Sequence, residues 1–239
     1  VDQHWTVIAP EYADVILTSV MKNIDVAVYD TIKKVADPGF ESFNGETYVG
    51  TLENNGVGLA QVKQDAVPEG LNQELEDAKQ SVIAGDLKTG WGAYLESLGA
   101  APEEPEYEEV TVGMVTDAGG IDDKSFNAMA WNGMQRAEDE IGAEASYLES
   151  QQQTDYATNI NQYLQQDVDL IVTVGFLLAD ATAAAAEENP DMNFAIVDND
   201  SLAENVRGLT FSTDQAGFLA GYVAAAASKT GTVATFGGI

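Results

Sequence analysis

Two carboxylates, an aromatic ring and a glycine turn are the groups with which this chain could do chemistry. The stretch TDAGGIDDKSFN, residues 116–127, follows the apolar run Val110–Val115 and opens the amphipathic segment Phe126–Ile141. That order reads as strand, turn and helix start, the place where open α/β sheets hold ligands. Gly119 and Gly120 let the backbone turn tightly and approach a bound molecule, while Asp122, Asp123 and Ser125 are helix-capping types. Asp117 ends the strand before the turn and Asp198 ends the strand FAIVD, so both carboxylates point to one rim of a parallel sheet. Phe126 and Asn127 stand at the helix start beside them. A ring face with acceptor oxygens suits a flat heterocycle bearing hydroxyls: the ring stacks, and the hydroxyls donate to carboxylates, which only accept when ionised. Gly175 and Phe176, opening the loop after LIVTVG, line the same cleft.

Covalent chemistry has little to work with. His4 is the only histidine, so a triad could be built in one way and a multi-histidine metal centre not at all. There is no cysteine, which removes disulfides and thiolate metal sites, and the glycine turn lacks the GxxxxGK pattern of a phosphate loop. No cofactor or metal is called for. Paired carboxylates leave a glycoside or nucleoside hydrolase open, since their separation decides that chemistry and sequence does not give it. A binding module for a sugar or another cofactor is a further alternative. A two-lobed transcription regulator fails for want of a basic DNA-reading helix.

The charge balance narrows the partners. Forty acidic residues against ten basic ones leave a formal net charge of −30. Such a surface repels nucleic-acid phosphates and anionic headgroups, because both associations depend on Lys and Arg. It reads as a solvated, salt-tolerant exterior, and the chain is expected to be soluble as it stands. No apolar run approaches the roughly 20 residues that a membrane span needs, and no basic start followed by an apolar stretch marks a signal peptide.

From Val110 onward, strands and helices alternate. Val110–Val115, Ala145–Leu148, Leu170–Val174, Phe194–Val197, Leu209–Phe211 and Val233–Phe236 read as strands. Phe126–Ile141, Tyr156–Gln166, Leu178–Glu188 and Gln215–Lys229 read as helices, with Asn189 and Pro190 stopping one and Gly231 following another. Alternation of this kind implies an α/β fold with a parallel sheet covered on both faces. Before the linker, Val15–Met21 reads as a strand, Ile24–Val35 and Leu71–Ala84 as helices, and Thr47–Leu52 with Val57–Ala60 as a hairpin turning at Asn54, Asn55 and Gly56. The acidic Pro/Glu segment 99–109 reads as a solvated linker.

Several blocks together resemble the basic membrane protein family: the TDAGG stretch, VGFLLADA (174–181), FAIVDND (194–200), FLAGYVAAAASKTG (218–231) and LTSVMKNIDVAVYDTIKK (17–34). These are solute-binding components of ABC importers, here similar to the purine nucleoside receptor type. The resemblance implies a type I periplasmic-binding-protein-like fold of two lobes, each with a largely parallel sheet flanked by helices. On this reading lobe 1 is 14–36 and 110–212, and lobe 2, incomplete, is 1–13, 37–98 and 213–239. It implies a purine nucleoside held in the interlobe cleft, an ABC permease as partner, and an extracytoplasmic location through a lipid anchor whose cysteine this chain lacks. It implies roles as well. Phe126 stacks on the base, Asp117 and Asn127 read the base edge, Asp198 and Asp2 accept from ribose, and Lys22 completes the polar end. The family's C-terminal block comes first here, an order that either a circular permutation through the linker or a rotated assembly of the chain produces. With Ile239 ending at GGI, roughly three βα units of the second lobe fall outside, at about 30 residues per unit.

Overall fold

The alternation after Val110 builds a parallel sheet of six strands. The computed structural model describes residues 16–63, 66–87 and 107–235. Its elements are β1 (Val20–Lys22), α1 (Ile24–Val35), β2 (Thr47–Gly50), β3 (Val57–Leu59), α2 (Leu71–Ile83), β4 (Thr111–Val115), α3 (Phe126–Ile141) and β5 (Glu144–Leu148). There follow α4 (Tyr156–Gln166), β6 (Leu170–Val174), α5 (Ala179–Glu188), β7 (Asn193–Val197), β8 (Val206–Phe211) and α6 (Thr213–Ala227). The chain divides into two compact units, a larger one of Ile24–Val49 and Glu103–Thr210, and a smaller one of Val1–Asn23, Gly50–Pro102 and Phe211–Ile239.

In the larger unit the strands lie in the order β2-β8-β7-β6-β4-β5. β4 pairs in parallel with β5 and β6, β6 with β7, and β7 with β8. β2 runs the same way as β8, because Gly45 N donates to Glu204 O at one end and Thr210 Oγ1 to Tyr48 O further along. Every residue of β6 is wholly buried, with Thr173 the single polar one among Leu170, Ile171, Val172 and Val174, as a strand in a sheet covered on both faces requires. Each such side chain contributes about 1.5–3 kcal/mol over leaving it exposed. α3 buries Asn127, Ala130, Met134 and Ala137 at helical spacing, and α4 buries Tyr156, Ile160 and Tyr163. α1, from the first part of the chain, packs on α3, and the Arg136 guanidinium lies 3.8 Å from the Tyr29 ring centre.

The N-terminal end of this sheet is stitched by its own polar groups. Arg207, near the start of β8 and only 6% exposed, donates from Nη2 to Glu46 Oε1 (2.9 Å) and from Nη1 to Thr31 Oγ1 (3.4 Å). The Tyr48 and Phe43 rings flank it, and Lys34 also pairs with Glu46. Burial lowers the guanidinium's pKa, and the Glu46 charge opposes that. Further along, Asp169 Oδ2 accepts from both Thr111 N (2.8 Å) and Thr111 Oγ1 (2.7 Å), tying β4 to the start of β6.

The smaller unit is built around α2 and α6 with the antiparallel pair β1–β3. Leu52, Val57, Val82, Ala216 and Leu219 form its core, and buried Gln215 accepts Leu52 N at 2.9 Å.

Three expectations change. Thr47–Leu52 and Val57–Ala60 form no hairpin: β2 joins β8 and β3 joins β1. The turn between them closes on itself instead, because Asn54 Oδ1 accepts from Thr51 N (2.7 Å) and Gly56 N (3.0 Å). The strand expected at Val15–Met21 is confined to β1, Val20–Lys22, and residue 15 lies outside the described residues. No strand forms over 233–235, where no described strand offers a ladder, and α6 ends at Ala227, four residues before Gly231.

Candidate functional site

At the C-terminal end of the larger unit's sheet, β4, β6 and β7 are neighbours and deliver three of the expected residues side by side. The register pairs Val115 with Thr173, so Asp117 comes opposite Gly175; it pairs Val174 with Val197, so Gly175 comes opposite Asp198. A glycine thus lies between two carboxylate-bearing residues, each one strand away, about 4.8 Å on either side. β4 is also where the sheet's winding reverses, with β5 on one side and β6 on the other, and such switch points open a crevice beyond the strand ends.

Gly175 has φ 101, a left-handed conformation that side chains rarely adopt, and the position a Cβ would take is 3.6 Å from Asp117 Oδ2. A side chain at 175 would therefore touch Asp117, and the glycine leaves that space open. Phe176 is 63% exposed and Leu177 is 47% exposed, leaving an apolar surface beside the carboxylates. Asp198, directly after β7, is half-buried with φ 64, which aspartate tolerates better than most residues, and its N donates to Leu209 O at 2.8 Å.

Three carboxylates shape the β4–α3 loop. Asp117 Oδ1 accepts from Gly119 N (2.9 Å) and from Asn127 Nδ2 (2.7 Å). Asp123 caps α3: its oxygens accept from Ser125 N (2.8 Å), Asn127 N (2.9 Å) and Ala128 N (3.0 Å). The helix start is thereby closed by the chain's own anion. Glu149, one residue past β5, accepts Ile121 N at 2.9 Å, and its Oε1 lies 2.8 Å from where a Cβ on Gly120 would be. A side chain there would displace the Glu149 carboxylate and be held at φ 62, so the position favours glycine.

Asn127 is 0% exposed, and its Oδ1 has no hydrogen-bond partner among the described residues. Tyr156, the first residue of α4, is 3% exposed with its hydroxyl likewise unpartnered. Burial first, and the Asp117 charge second, push its phenol pKa up. Phe126, half-buried, is the first residue of α3 and precedes Asn127 on the same turn.

The larger unit thus carries Asp117, Phe126, Asn127, Gly175, Phe176 and Asp198. Lys22 belongs to the smaller unit, where its Nζ is 5.8 Å from the Phe211 ring centre, and Asp2 lies outside the described residues. Glu149 and Tyr156 are supporting residues that sequence reading missed. Only the position of Glu149, directly after a strand, was a signal for it. Among the described residues no cluster of three or more acidic, histidine or cysteine side chains could hold a metal ion.

The model of a family described as Bmp, ABC transporter substrate-binding protein PnrA-like, matches residues 110–239. The ABC transporter nucleoside-binding protein BmpA of Lactococcus lactis subsp. cremoris is 40% identical over 136 residues, covering 55% of this chain and 39% of that protein. Basic membrane protein A of Borreliella burgdorferi is 38% identical over 132 residues, covering 54% and 38% respectively. The chain spans about 40% of the length of these curated relatives. A crystal structure of ABC transporter system solute-binding proteins from Aeropyrum pernix K1 aligns with TM-score 0.40 and 30% identity, over 43% of this chain and 28% of that one.

Proposed function

The chain belongs to the Bmp family of PnrA-like ABC transporter substrate-binding proteins, and from that premise we propose that the C-terminal rim of its larger unit receives a purine nucleoside. The family binds solute without transforming it, so the hydrolase alternative falls away. Its members are extracytoplasmic lipoproteins, and among the described residues no helix is long and apolar enough to cross a membrane.

One observation carries the reading: Asp117 Oδ2 accepts no hydrogen bond from the described residues and faces Gly175, while Oδ1 is already engaged twice. An acceptor held in one orientation beside an open glycine is a receptor for a ligand N–H or O–H. Phe126 stacks on the base and Asp198, on the far side of Gly175, accepts from the ribose hydroxyls. The similarity to a relative described as nucleoside-binding supports the same ligand class. A nucleoside fits better than a nucleotide, because the α3 N-terminus that would cradle a phosphate is occupied by Asp123. The partner that takes up the solute is an ABC permease.

Isothermal titration of the full chain with inosine tests this. Saturable binding is expected, weakened strongly by Phe126→Ala and by Asp198→Ala. Unchanged affinity in both variants would remove the site assignment.

A further inference from the structure

Resting on the nucleoside reading, we infer that Asn127 is a positioning residue that makes the base end of the site an acceptor, so that nucleosides whose base carries an N–H donor are selected over those whose base has none. Asn127 is wholly buried, so its side chain acts on the ligand through Asp117. Its Nδ2 donates to Asp117 Oδ1 at 2.7 Å, and Gly119 N donates to the same oxygen at 2.9 Å.

Both bonds fall on one oxygen, which fixes the carboxylate plane and leaves Oδ2 on the Gly175 side, 3.6 Å from where a Cβ would be. The amide cannot be turned over, because an ionised carboxylate only accepts and must meet the NH2 group. A carboxylate oxygen welcomes a donor and repels a facing lone pair. A base edge that brings only ring nitrogens leaves Oδ2 unmatched and meets repulsion.

The test compares inosine, whose base carries N1–H, with purine riboside, whose base has no N–H, by calorimetric titration of the full chain. Wild type should bind inosine about 10- to 100-fold more tightly, the range that a hydrogen bond to a charged group supports. Asn127→Ala should narrow that ratio to a few-fold by weakening inosine while purine riboside stays within about threefold of its wild-type affinity. A merely structural role would weaken both ligands alike. Asp117→Asn, which keeps the shape and removes the charge, should narrow the ratio too, and it decides the matter if Asn127→Ala does not fold. Equal wild-type affinities for the two ligands, or a ratio unchanged in the folded variants, would overturn the role of Asn127 and leave the nucleoside reading standing. Binding of neither ligand by folded wild-type protein would overturn the nucleoside reading itself.

Discussion

At the N-terminal end of the larger unit's sheet, Arg207, Glu46 and Thr31 bond to one another, as do Thr111 and Asp169. At the C-terminal end, Asp117 keeps one oxygen unmatched among the described residues, Asn127 and Tyr156 carry orphaned polar atoms, and Gly175 takes a φ of 101 that a side chain would strain. Orphaned atoms occur at the stitched end too, on Arg207 Nε and the Tyr48 hydroxyl; what sets the C-terminal end apart is the Asp117 oxygen that accepts nothing from the described residues, beside the side-chain-free turn at Gly175.

Substitutions at the two ends should separate accordingly. The largest effect is expected at the stitched end: Arg207→Ala removes a buried side chain and its bonds to Glu46 and Thr31, while half-exposed Glu46 keeps Lys34, and should lower unfolding free energy by about 2–4 kcal/mol in urea titrations. Selectivity between nucleosides should not move. At the open end Asp117→Ala should do the reverse, weakening inosine by about 1.5–3 kcal/mol in calorimetry with a smaller change in melting temperature. A stability loss larger than the affinity loss would blur the contrast. Gly175→Ala forces a side chain into φ 101 and should cost about 1–2 kcal/mol of stability, read by thermal denaturation.

The smallest effect concerns pH. Burial raises the Asp30 pKa above its ordinary 3.8, against the pull of Arg207, so the folded state holds this proton more tightly than the unfolded chain does. Its contribution is fully present below 3.8 and is lost as pH rises through the raised value. Asp30→Asn should therefore be more stable than wild type at neutral pH, with the difference vanishing in acid. Melting curves across that range check the sign.

Much of this arrangement was legible before any coordinates. The spans of α3, α4 and β6 are those that periodicity predicts, and the alternation implied a covered parallel sheet with Asp117 and Asp198 on one rim. The placing of Gly175 between them was not legible, because strand order and register are long-range properties that no local spacing encodes. The failed hairpin has a related cause. Its Asn-Gly turn is real, but pairing was decided by partners far away in the chain. Asn127 is a different case. The buried stripe of α3 runs through 127, 130, 134 and 137, so a polar residue heading an apolar face was already a sign of a buried hydrogen bond. Glu149 and Gly120 meet only in three dimensions.

A crystal structure of the full chain with inosine bears most directly on the role given to Asp117. The base is expected over Phe126 with its N1 within about 3 Å of Asp117 Oδ2 and the ribose hydroxyls toward Asp198. Density for the nucleoside elsewhere, with Asp117 Oδ2 facing solvent, would contradict it.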